Sequence, residues 1–114
     1  MTFPGLAAAL AQRLAAELPA GIAVSDEPEG YLRLAAGEER WEVFPLDEPE
    51  VEPELDPDVY DPPYPAFAVL EALDFVQEFV REHAGVELPE PWAELDGDEI
   101  RLGFGDAELD PIRL

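Results

Sequence analysis

Carboxylates are the residues of this chain whose type and spacing could do chemistry. Glu71, Asp74, Glu78 and Glu82 recur three or four residues apart. That spacing puts all four on one face of a helix. Asp74–Glu78 and Glu78–Glu82 are like-charge pairs at i,i+4, each costing about 0.2–0.5 kcal/mol, a cost that a cationic partner would relieve. A second set lies in Leu46–Pro63: Asp47, Glu48, Glu50, Glu52, Glu54, Asp56, Asp58 and Asp61, with no basic residue among them. Tyr60 and Tyr64 lie at its end as candidate aromatic anchors inside an acidic rim. A carboxylate pair can hydrolyse glycosides, but it needs a sugar cleft for which a chain this short has little room. Asp56-Pro57-Asp58 and Asp96-Gly97-Asp98 look like the start of a calcium loop, yet neither has glycine at the sixth position or glutamate at the twelfth. The acidic stripe also lacks the Glu-x-x-His spacing of di-iron bundles. Adventitious divalent-cation binding is expected; a dedicated metal site is not.

The remaining inventory argues against an enzyme. Lysine, cysteine and asparagine are absent, so lysine and thiol nucleophiles and thiolate metal sites are excluded. Ser25 is the only serine and falls in a turn without the strand-to-helix context of a nucleophile elbow. His83 is the only histidine. It falls in the last turn of a predicted helix, where a cation meets the negative end of the dipole, and that reading outweighs catalysis. Gly103-Phe104-Gly105 carries no further part of a nucleotide fingerprint, and no glycine-rich loop is joined to a phosphate-binding lysine. No catalytic residue, cofactor or metal ligand is assigned.

Charge narrows the partners. Twenty-eight acids face six arginines, for a net charge of −22. Such a field repels nucleic acid and anionic membranes and attracts basic protein surfaces. Acidity that serves only solubility is the plainer alternative. The hydrophobic fraction of 47% is high enough for a packed core. A length of 114 residues makes residues 1–114 a single small domain. Leu6–Ala11 has no basic residue before it and is cut short by Arg13, so no secretory leader is read. No stretch reaches the length of a membrane span, and a cytoplasmic setting is expected.

The elements that must position these groups follow from periodicity. Pro65–His83 reads as the long helix on which everything else packs. It shows a wide apolar face of Phe67, Val69, Leu70, Leu73, Phe75, Val76, Phe79 and Val80 and a narrow polar stripe that includes Gln77. Gly85 suits its exit. Leu6, Leu10, Leu14 and Leu18 mark an earlier alanine-rich helix, stopped by Pro19 and Gly21, whose leucine ridge reads as a core face. Ile22–Val24, Tyr31–Ala35 and Arg40–Phe44 read as strands. A two-residue Gly37-Glu38 loop of type II′ would pair Leu34 with Trp41, Leu32 with Val43, Arg33 with Glu42 and Tyr31 with Phe44. Prolines and charge repulsion make Leu46–Pro63 an extended, solvent-facing loop, tacked down by Val51, Leu55, Val59 and Tyr60. Asp96-Gly97 marks a hairpin between Trp92–Leu95 and Asp98–Phe104, and Leu109–Leu114 reads as a further short strand. The expected fold class is α+β: an antiparallel sheet of about five strands with two helices on one face, in the order α-β-β-β-α-β-β. Leu32, Leu34, Trp41, Val43, Leu73, Val76, Phe79, Ile100 and Leu102 are the expected core.

The first five elements, up to about residue 84, resemble the secretion-chaperone-like superfamily in element order, without a shared sequence motif. That resemblance implies a small, dimeric α-β-β-β-α module that holds an extended partner segment. Two functions are therefore expected to compete. One is a non-enzymatic acidic interaction module that masks a basic protein, as an immunity protein or a DNA mimic does. The other is a chaperone-like or structural module that holds an extended apolar segment. The first should weaken steeply with salt; the second should not. A homodimer is expected through Tyr31, Phe44 and the alanine-rich flank of the first helix.

Overall fold

The structure is a computed structural model, and it describes residues 5–27, 30–45 and 66–113. Its elements run α1 (Leu6–Ala15), β1 (Ala23–Asp26), β2 (Tyr31–Ala36), β3 (Glu39–Pro45), α2 (Ala66–Ala84), β4 (Pro91–Asp96), β5 (Glu99–Phe104), β6 (Ala107–Glu108) and β7 (Ile112–Arg113). The α+β class and the antiparallel pairing agree with expectation. The single sheet does not. The strands form two sheets, β1-β2-β3 and β4-β5-β6, with β7 also pairing with β5. Each sheet is a local meander built from hairpins between chain neighbours, with β7 on β5 the pairing that skips a strand, and a helix precedes each one. α1 packs on β1 and β2 and touches β7; α2 packs on β4 and reaches β2, β3 and β5. The helices are divided between two sheets, yet both reach β2, and the buried face of the first sheet is the one that carries Leu32, Leu34 and Val43. One buried apolar cluster nevertheless runs through both halves.

The first hairpin keeps most of its expected register. Leu34 pairs with Trp41, Arg33 with Glu42 and Leu32 with Val43. Gly37 has φ +62° and among the described residues no non-glycine has positive φ, so Gly37-Glu38 has the sign pattern of a type II′ loop. The ladder then shifts between Tyr31 and Leu32, and Tyr31 faces Pro45 rather than Phe44. Proline lacks the N–H that a regular ladder needs, and it collects at edges and bulges. The second hairpin turns one residue later than Asp96-Gly97 suggests. Asp96 pairs with Glu99, which leaves Gly97-Asp98 as the loop. Phe104 pairs with Ala107 around Gly105-Asp106, so the chain builds a third hairpin, and with it β6, from the same glycine–acid loop.

The core follows the periodic pattern. Leu32, Leu34, Val43, Leu73, Val76, Phe79, Ile100 and Leu102 are each at most 1% exposed. Trp41 is the exception and stays half-buried, edge-on to Phe79 with ring centroids 5.1 Å apart. Leu6, Leu10 and Leu14 are buried, as a core ridge requires. α1 ends earlier than its leucine spacing suggests. The amides of Glu17 and Leu18 both donate to the Leu14 carbonyl, which tightens the last turn before Pro19. α2 leaves through Gly85 at φ +66°, as expected. Phe75 corrects the reading of α2, because it is 39% exposed. It lies four residues after Glu71 and three before Glu78, which puts it on the polar side of the helix.

Candidate protein-interaction surface

The solvent face of α2 carries the part of the candidate site that falls among the described residues. Asp74, Glu78 and Glu82 are exposed and Glu71 is half-buried. With Phe75 among them, the face is an acidic strip around a partly open aromatic ring. From Ala66 to Glu90 the chain holds six acids and one arginine. The connector after α2 adds to the charge. Gln77 donates from Nε2 to the Leu88 carbonyl at 2.9 Å and to the Pro89 carbonyl at 3.3 Å. This ties the connector back along the helix and brings Glu90 up to Asp74. The Asp74 carboxyl is held above its ordinary value, first by partial desolvation and then by the Glu90 charge. Neither Glu90 nor Phe75 stood among the candidate site residues. Counting positions around the helix would have found Phe75. Nothing local in the sequence announces Glu90.

The arginines do little to neutralise this face. Arg33, on the central strand of the first sheet, pairs with Glu27 at 3.1 Å and Glu42 at 2.9 Å. Arg101, on the central strand of the second sheet, pairs with Glu94 at 3.0 Å and Glu108 at 2.7 Å. Arg113 reaches Glu99 at 3.3 Å. Arg13 spends its guanidinium on three main-chain carbonyls, those of Ala9, Asp110 and Pro111. Four of the six arginines are thus engaged within the fold. On α2 only Arg81 remains, and it is exposed.

His83 does sit in the last turn of α2. Its ring lies 4.4 Å from Phe79 and 5.8 Å from Trp41, centroid to centroid. Nε2 is shielded from solvent and has no hydrogen-bond partner. The three rings join the end of α2 to β3, so His83 contributes packing there.

Asp47, Glu48, Glu50, Glu52, Glu54, Asp56, Asp58, Tyr60, Asp61 and Tyr64 lie outside the described residues, as does Asp56-Pro57-Asp58. Asp96-Gly97-Asp98 is taken up by the β4–β5 turn. Among the described residues no group of three or more histidines and carboxylates is placed to hold a metal ion. Among them, too, no helix is long and apolar enough to cross a membrane. Compared with known proteins, the chain matches no protein-family model, no curated protein and no solved structure.

Proposed function

We propose that this chain is a non-enzymatic acidic interaction module that binds or masks a basic surface of another protein, in the manner of an immunity protein or a DNA mimic. The observation that carries the reading is the α2 face: exposed Asp74, Glu78 and Glu82 around the partly open ring of Phe75, while most arginines are engaged elsewhere. Like charges held together on a rigid helix are a standing electrostatic cost, and a cationic surface removes it. An aromatic ring inside the acidic strip suits an arginine side chain, which stacks on aromatic faces. The proposal extends to the acids of 46–63 as a second part of the same surface, to a cytoplasmic setting, and to a homodimer that leaves α2 open.

The test is kinetic. Glu71→Gln, Asp74→Asn, Glu78→Gln and Glu82→Gln are combined, and association with a basic partner captured by cross-linking is followed at low and high salt. The expected result is an on-rate about tenfold slower at low salt, with a flattened salt dependence and an unchanged fold. An unchanged on-rate and salt slope would overturn the proposal for this face.

A second reading draws on the order α1-β1-β2-β3-α2: a module that holds an extended apolar segment, as the secretion-chaperone-like resemblance implies. It predicts binding that is insensitive to salt and to the four substitutions.

A further inference from the structure

β6 and β7 are two pieces of one edge strand. β4 occupies one side of β5 along its whole length, so both pieces lie on the other side. Glu108 pairs with Gly103 and Ile112 with Ile100, so three steps along β5 correspond to four along the edge. The extra residue falls in Leu109–Pro111. The Leu109 amide still donates to the Leu102 carbonyl at 3.0 Å, but Pro111 has no N–H to continue the ladder.

The carbonyls of Asp110 and Pro111 turn instead to α1. Arg13 donates to them from Nε at 2.6 Å and from Nη2 at 2.7 Å, and its Nη1 holds the Ala9 carbonyl at 2.8 Å. A polar cleft of about 340 Å³ separates α1 from this stretch, lined by Gln12, Glu17, Glu108 and Leu109 among others. Arg13 bridges it. Elsewhere the segment is held by two short ladders, by the buried side chains of Leu109 and Ile112, and by two exposed ion pairs to β5, Arg101–Glu108 and Arg113–Glu99.

We infer that residues 107–113 are a releasable strap latched by Arg13, and that its release opens the outer edge of β5 to a strand of the same pattern. The short ladders and the bulge make this the weak margin of the second sheet. One fork-shaped cation on α1 meets two displaced carbonyls, whereas the Arg101 contact to Glu108 comes from β5 itself and is exposed. The occupant of the opened edge is a second copy of the strap sequence, with apolar side chains at the Leu109 and Ile112 positions. This inference stands apart from the acidic face of α2.

Native-state hydrogen exchange tests it on the full chain. In the wild type, with urea added below the global transition, amides of 107–113 should open before those of α2, β2 and β3. In Arg13→Gln their exchange should speed up about tenfold, with α2 unchanged, since two charge-assisted bonds are lost. Arg13→Lys should fall between, and Gln12→Ala, on the same helix, should match the wild type. A labelled peptide of residues 107–113 should bind Arg13→Gln more tightly than the wild type. If the wild-type strap opens only with the global transition, the inference is overturned, whatever the variants do. It is equally overturned if Arg13→Gln leaves exchange in 107–113 unchanged, or if the peptide shows no preference for that variant.

Discussion

Phe79 is fully buried on α2 and packs against both Trp41 and His83. Phe79→Ala should therefore cost about 3–5 kcal/mol, read by chemical denaturation. A loss under about 1 kcal/mol would mean that the ring packs loosely. Asp74 gives a pH prediction. Its carboxyl sits above the ordinary value in the folded chain, through partial desolvation and the nearby Glu90. The folded state thus takes up this proton more readily than the unfolded state. The penalty on folding is present at neutral pH and is relieved as pH falls through the raised value toward the ordinary one of about 4. Asp74→Asn should melt slightly higher than the wild type at pH 7. That gap should close in melts at successively lower pH. A gap that widens on acidification would contradict the assigned environment.

The turns carry the argument at the scale of elements. Gly37 and Gly105 both open two-residue loops at positive φ. A Cβ at Gly37 would meet nothing within 4 Å, so Gly37→Ala should cost only the backbone term, about 1–2 kcal/mol. A Cβ at Gly105 would lie 2.6 Å from the Pro89 Cβ, so Gly105→Ala should cost more. Urea melts of the two variants should rank in that order. Gly105 also accepts the Trp92 Nε1–H bond at its carbonyl, 2.9 Å away. Damage there should show in the tryptophan environment as well as in stability.

At the scale of the whole molecule, net charge dominates. A chain at −22 repels itself, and screening shortens the reach of that repulsion. The melting temperature should rise by several degrees between low and moderate salt. A flat response would mean that the internal pairs of Arg33 and Arg101 offset what screening relieves. The expected homodimer belongs to this scale too. Static light scattering should show its mass growing with salt, because repulsion between two copies opposes association; a monomer at every concentration and salt would end that idea.

The α+β class, α2 with its acidic stripe, the leucine ridge of α1 and most of the first hairpin register were legible in the sequence. These features depend on neighbours a few residues apart. Helical spacing decides which side chains share a face, and a glycine–acid loop fixes which residues of a hairpin meet. Tertiary structure alone decided the split into two sheets, because periodicity marks a strand without naming the ladder it joins. It alone gave Arg13 the carbonyls of Asp110 and Pro111, at the far end of the chain. It alone set Glu90 against Asp74, through a connector tied down by Gln77. Each of these contacts joins groups distant in sequence, and no local pattern records which distant carbonyl or charge a side chain will meet once the core closes.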